Sequence, residues 1–424
     1  MSEGKPMRIL LATVGSSGDV HPFIAIAVAL RARGHEVVLA TNPYFREVVE
    51  GAGIGFAAIG ERIVPQELAA EMPGAFKRYV GAYMLTRRVF LPHLPKTYED
   101  LLACARSFGP DVIVGHQIAF GVAWIAEELG IPWGTCVLAP ATMLSDEDPG
   151  VYPIGMDVRG APMAVRRMQH WFARRAMSLF LDGPMNRFRR SLGRGKRFDT
   201  FFGEMLSGSL ILGMWSSAFR GSASDDPATL RICGFPWFDR KGGEDGLEPG
   251  LEAFLSDGEA PIVVTLGSVL SHVHRHVYEN ALRAMEDVGA RAVLVTGHEH
   301  DGAFVNSERV YRADYVAYSQ LLHRGAATVH HGGVGTTAQA LRAGRPVLVL
   351  PHAHDQFDNA ARCEALGVGL RMDASRASVK RLRSAFERLI GDAGMRSRSA
   401  EVGRAVGLED GAEGAVEALE ANFG

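Results

Sequence analysis

The sequence predicts an α/β protein built from two doubly wound parallel-sheet domains, and three observations carry that expectation. Residues 8–59 alternate apolar strand runs with helical runs in a β-α-β-α-β order. Residues 326–351 repeat the theme far downstream as strand, glycine turn, helix and strand. At 424 residues the chain is long enough for two domains of about 200 residues each. The expected division is 1–218 for the first domain, 219–258 for a linker, 259–400 for the second domain and 401–424 for terminal helices.

Composition narrows the function classes. A hydrophobic content of 47% supplies sizeable cores, and a net charge of −3 offers no bulk attraction for nucleic acid. The four cysteines, Cys104, Cys136, Cys233 and Cys363, are far apart and form no CxxC pair. That spacing favours reduced thiols in a cytoplasmic protein and disfavours a zinc site. No apolar run reaches the roughly 18 residues that a membrane span requires. Residues 1–6 are short and polar, unlike a signal peptide.

The first domain opens with a continuously apolar strand over 8–14, of the kind buried on both faces. A loop follows that contains Gly18, Asp19 and His21, with Pro22 placed to start a helix over 23–33. Strands follow at 36–41 and 54–59, with a short helix over 45–50 between them. The loop lacks the GxGxxG spacing, and no acid ends the second strand at Thr41, so a dinucleotide site is not expected there. Residues 60–105 read as irregular helices and loops suited to the wall of a cleft. Strands at 111–115, 134–138 and 210–214 complete the sheet, with His116 at the end of the first of these.

In the second domain a strand over 262–266 ends in Gly267 and Ser268, where a bare backbone can approach a diphosphate. A strand over 326–329 leads into His330, His331, Gly332, Gly333, Val334, Gly335, Thr336 and Thr337, and then into a helix closed by Gly344. Glycines admit close approach, and the first helical N–H groups present the positive end of the helix dipole to an anion. The imidazoles and threonine hydroxyls add donors. The plainer alternative is a glycine turn that only connects two elements. A further strand over 346–351 ends ahead of Asp355 and Gln356, a pair suited to sugar hydroxyls that both donate and accept. Three helices are expected over 378–390, 395–407 and 411–422.

The run from Tyr318, Ser319 and Gln320 through His330–Thr337 to Asp355, Gln356 and Asn359 resembles the donor-site signature of the family 1 glycosyltransferases. The resemblance implies the GT-B fold, two Rossmann-like domains facing each other across a cleft, with the last helix crossing back to the first domain. It also implies an inverting transferase, for which no cofactor is expected. A nucleotide diphosphate sugar, dTDP-L-rhamnose or a UDP-hexose, would sit on the second domain, and a lipophilic acceptor would enter from the first. In the family the residue after the loop glycine is the catalytic base, and here that position is Asp19. His21 is the rival, since imidazole is better matched to neutral pH. Plant members carry an aspartate partner where this chain has His116, so Asp19 and His116 would form the same dyad with its members exchanged. Where plant members stack a tryptophan on the base, this chain offers Tyr315 or Tyr318, which leaves UDP and dTDP open. Four stretches, 18–23, 43–49, 234–239 and 353–360, are similar to the bacterial rhamnosyltransferases of rhamnolipid synthesis. The alternatives are a nucleotide-sugar 2-epimerase of the same fold and a non-catalytic nucleotide-sugar-binding protein.

Two features stand outside that scheme. Residues 166–197 carry ten positive charges against Asp182 alone, interleaved with Trp171, Phe172, Met177, Leu179, Phe180 and Leu181. Such a stretch suits peripheral contact with an anionic membrane surface, or it is an ordinary amphipathic helix with a solvated basic face. Histidines alternate at His272, His274 and His276, at His298 and His300, and at His352 and His354. No matching carboxylate cluster accompanies them, so a catalytic metal is not expected.

Overall fold

The computed structural model describes residues 5–153, 156–238, 246–267, 275–297 and 304–424. The chain divides into two compact units. The first comprises the described residues of Met1–Val64, Val80–Phe238 and Glu409–Gly424, and the second those of Pro65–Tyr79 and Asp239–Leu408.

The first unit holds a seven-stranded sheet: β1 (Arg8–Ala12), β2 (Glu36–Thr41), β3 (Gly55–Ala58), β4 (Val112–His116), β5 (Trp133–Val137), β6 (Leu210–Gly213) and β7 (Leu230–Ile232). Its order is β3-β2-β1-β4-β5-β6-β7, and every pair is parallel. Ile9, Leu10 and Leu11 are fully buried because helices cover both faces, and this is why the strand reads as one apolar run. The second unit holds six parallel strands: β8 (Ile262–Thr265), β9 (Ala292–Val295), β10 (Val310–Ala313), β11 (Ala327–His330), β12 (Val347–Val349) and β13 (Gly369–Arg371). Their order, β10-β9-β8-β11-β12-β13, repeats that of the first six strands. In each sheet the order reverses beside the first strand of its unit, between β1 and β4 and between β8 and β11. Open α/β sheets bind ligands beyond the carboxyl ends of strands at such a point.

Three local features differ from the sequence expectation. The first helix spans Ser17–Ala32, so Pro22 lies inside it and not at its start. Ser16 and Asp19 form a capping box that nucleates the helix one turn early. Strands β10 and β13 lie at the two edges of their sheet, partly exposed and three or four residues long. Edge strands lack the continuous apolar run that marks a buried strand. Finally, Pro65–Tyr79 belongs to the second unit. Arg78 Nη1 pairs with Asp373 Oδ2 at 2.9 Å, its guanidinium lies 4.5 Å from the Phe357 ring centroid, and Phe76 meets His354 edge-on.

The Gly411–Phe423 helix packs on the Ser17–Ala32 helix within the first unit. Arg33 pairs with Glu413 and Glu420, and His35 Nε2 lies 3.1 Å from Glu420 Oε1. The basic stretch lies mostly in one 29-residue helix, Met163–Ser191. Several of its charges meet acids remote in sequence: Arg167 with Asp146, Arg174 with Asp199, Arg189 with Glu204, and Arg194 with Glu127 and Glu128. The excess of positive charge is therefore smaller in the fold than in the local sequence.

Candidate active site

In the first unit β1 runs into Thr13, Val14 and Gly15, and the Ser17–Ala32 helix then begins. Asp19 sits in the first turn. Its Oδ2 accepts from the Ser16 N–H at 2.7 Å and from Ser16 Oγ at 3.0 Å. Gly15 has φ +126°, and a Cβ there would collide with the Asp19 carboxylate. The loop thus folds around that carboxylate, which stays half-buried and within reach of ligands. Gly18, the glycine before it, is exposed.

His116 ends β4. The β1–β4 register pairs Ala12 with Gly115, and this brings Thr13 alongside His116. Thr13 Oγ1 donates to the Asp19 carbonyl at 3.0 Å and lies 3.5 Å from His116 Nδ1. Burial holds the His116 imidazole below its ordinary pKa, while the Asp19 charge and a hydrogen bond to the Val14 backbone oppose that shift. Asp19, Thr13 and His116 are therefore one cluster at the switch point. His21 stands two residues beyond Asp19, on another side of the helix, with its ring edge-on to Phe238 at 5.3 Å.

In the second unit β8 ends at Thr265, which is paired in register with His330 at the end of β11. Thr265 Oγ1 lies 2.6 Å from the Tyr318 hydroxyl and accepts from the Gly267 N–H at 3.3 Å. Gly267 has φ +75°, and the His331 imidazole fills the space that a Cβ would need at Gly267 or Gly333. Ser268 lies outside the described residues.

His330 is fully buried. Its Nδ1 accepts from the Gly332 N–H at 3.1 Å, so the neutral ring carries its proton on Nε2. Burial pushes its pKa down to about 3, and burial together with His330 does the same to His331. Among the described residues His330 Nε2 has no hydrogen-bond partner. A buried N–H without a partner costs free energy unless a ligand meets it. The Val334–Arg342 helix starts beside it, capped by Gly333 with no side-chain bond, so its first N–H groups also remain available. Gly335 is exposed there, Thr336 is buried, and the buried Thr337 Oγ1 has no partner among the described residues.

Asn359 ties the turn to the next loop. Its Nδ2 donates to the Gly332 carbonyl and to Asp355 Oδ2, each at 2.8 Å. Gln356 Oε1 accepts from the His352 and Ala353 N–H groups at 2.8 and 3.0 Å, which leaves its NH₂ as the group that can face a ligand. His354, at φ +54°, sits in the left-handed region that non-glycine residues avoid, and it re-aims the chain just before Asp355. Tyr315 is 44% exposed, Ser319 is exposed and Gln320 is partly buried.

Sequence reasoning gave no role to Thr13 or Thr265, and it marked Asn359 only as part of the donor-site signature, not as a bridge between loops. A signal existed for the first two, since each switch-point strand run closes on a threonine after apolar residues. The bridge that Asn359 makes gives no such sign, because its partners come from two separate loops. Among the described residues no group of three or more His, Cys, Asp or Glu can hold a metal ion. His272, His274, His298 and His300 lie outside the described residues. No described helix is long and apolar enough to cross a membrane.

Comparison with known proteins places this geometry in a family. The family model described as "Glycosyltransferase family 28 N-terminal domain" matches residues 9–145. The model described as "Erythromycin biosynthesis protein CIII-like, C-terminal domain" matches residues 280–411. O-mycaminosyltylonolide 6-deoxyallosyltransferase of Streptomyces fradiae is 32% identical, over 98% of this chain and 97% of its own length. Sterol 3-beta-glucosyltransferase UGT80A2 of Arabidopsis thaliana is 29% identical over 98% of this chain, which spans 65% of that longer protein. The spinosyn rhamnosyltransferase SpnG complexed with thymidine diphosphate has a TM-score of 0.69 at 20% identity, covering 98% of this chain and 100% of that one. The chain belongs to the GT-B glycosyltransferases. These relatives act, by their names, on macrolides and sterols, so the resemblance is shown for the family and not for the rhamnolipid subgroup.

Proposed function

We propose that the chain is an inverting glycosyltransferase that moves a hexose, most simply a 6-deoxyhexose carried on dTDP, to a hydroxyl of a lipophilic acceptor. The single observation behind the donor half is His330. A neutral, buried Nε2–H with no partner among the described residues, beside a helix start without a side-chain cap at a switch point, suits a diphosphate oxygen. The 6-deoxyallosyltransferase supports a deoxyhexose, and the thymidine diphosphate complex supports dTDP. The macrolide and sterol relatives support an apolar acceptor.

In this reading Gly267, His330, the backbone from Gly333 to Thr336, including Val334 and Gly335, and Ser268, next in sequence to Gly267, hold the diphosphate. Gly332 shapes the turn through its bonds to His330 and Asn359. Asp355 and the Gln356 NH₂ hold sugar hydroxyls. Tyr315 or Tyr318, with Ser319 and Gln320 beside them, lines the base. Asp19 takes the proton from the acceptor hydroxyl through the oxygen that Ser16 leaves open. The hydroxyl oxygen forms its bond to the anomeric carbon as the carbon–oxygen bond to the diphosphate breaks, and dTDP departs with that electron pair. Thr13, between the Asp19 carbonyl and His116, holds the two in register, with the buried imidazole behind the base.

The test is transfer from dTDP-6-deoxyhexoses and UDP-hexoses to macrolide aglycones, sterols and hydroxy fatty acids, with product followed by mass. Product from a dTDP-deoxyhexose that vanishes in Asp19→Asn supports the reading. Transfer at the wild-type rate by that variant would remove Asp19 as the base.

A further inference from the structure

The Met163–Ser191 helix presents an unusual outer face. Its inner side buries His170, Leu181 and Met185. Its outer side should then be polar. Instead Met168, Trp171, Phe172 and Leu179 are 54, 59, 58 and 73% exposed. Their spacing of three, four and seven residues puts them on one stripe, with Arg175 inside it. Phe198, 76% exposed, lines a shallow hollow of about 260 Å³ together with Trp171, Arg174 and Arg175.

Asp182 and Asp199 also line the hollow, but the acids at this face are already hydrogen-bonded or paired with arginine. The only acid in the helix, Asp182, is buried and accepts from the Thr200 hydroxyl and from the Asp199 and Thr200 N–H groups. Arg167 and Arg174 are matched by acids, but among the described residues Arg175 and Arg187 form no ion pair. Aromatic and aliphatic side chains exposed beside unmatched arginines, with no exposed acid on the helix, suit a surface that is apolar inside and anionic at its rim.

We propose that this face docks on a bilayer containing anionic phospholipid. Trp171, Phe172 and Leu179 enter the headgroup and acyl boundary, and Arg175 and Arg187 meet lipid phosphates. The docking is independent of the transfer chemistry.

The test is sedimentation of the full chain with vesicles of phosphatidylcholine alone or mixed with phosphatidylglycerol. Binding to the mixed vesicles should be roughly tenfold tighter and should weaken with salt. W171S/F172S/L179S should lose that binding while keeping its thermal midpoint. R175Q/R187Q should bind weakly with little salt dependence. Brominated lipid should quench the wild-type tryptophan emission more than that of W171F. Equal binding to both vesicle types, or full binding by the triple variant, overturns the proposal. So does a wild-type dimer that the triple variant converts to monomer, because a second copy would then cover the face.

Discussion

The Asp19 carboxylate holds the start of a helix with the same oxygen, Oδ2, that accepts both Ser16 donors. Its two tasks can be separated by substitution. Asp19→Asn keeps an acceptor oxygen for the cap and removes the base, so kcat should fall by roughly 10²-fold or more with stability nearly unchanged. Asp19→Ala should show the same kcat and, in addition, lose about 1 kcal/mol of stability with the cap. Equal denaturation midpoints for the two variants would contradict the capping role. His330 makes a separate prediction from pH. Its folded pKa, about 3, lies below the ordinary histidine value, so between those values the unfolded chain binds a proton that the folded chain does not. Stability is therefore intact above about pH 6.5 and falls as pH drops toward 3, by about 2 kcal/mol from this residue at pH 5. Thermal midpoints should fall by several degrees over that range. His330→Gln should flatten the decline, and an unchanged pH slope would contradict the burial argument.

At the scale of elements, the two glycine turns are shaped by side chains that lie over them. Gly333 has an ordinary φ of −58°, so alanine is allowed there by the backbone, yet its Cβ would collide with His331 Nε2. Gly333→Ala should raise the donor KM about tenfold and leave the fold intact by circular dichroism. An unchanged KM would show that the His331 contact does not shape the turn. The Pro65–Tyr79 segment is held on the second unit partly by Arg78, through Asp373 and the Phe357 ring. Arg78→Ala should remove roughly 1 kcal/mol of local stability and speed proteolytic cleavage within that segment. Cleavage at the wild-type rate would contradict the anchoring role. The central strands, the glycine turns and the donor signature were legible in the sequence because each is a contiguous run with its own periodicity or spacing. The placement of Pro65–Tyr79 was not, because the partners Asp373, Phe357 and His354 lie nearly 300 residues away. The contacts of Thr13 and Asn359 were not legible for the same reason, since they come from strand register and from a loop-to-loop bridge. The outer face of the 163–191 helix was half legible: its basic and aromatic content showed, but which charges were already matched depended on acids from Glu127 to Glu204.

At the scale of the molecule, two sheets with the same strand order each place polar groups at their switch point: an acid, a threonine and a histidine in the first unit, and a threonine, two histidines and a helix start in the second. The proposed transfer depends most on the second of these sites binding a nucleotide diphosphate. The most direct measurement is the thermal midpoint of the wild-type chain and of His330→Ala across a titration of dTDP, with thymidine as the control. A ligand specific to the folded state at a hundredfold excess over its Kd adds about 2.7 kcal/mol, which amounts to several degrees. That rise is expected for dTDP with the wild type, a much smaller one for His330→Ala, and almost none for thymidine. Equal midpoints with and without dTDP, or an equal rise in the variant, would contradict this expectation.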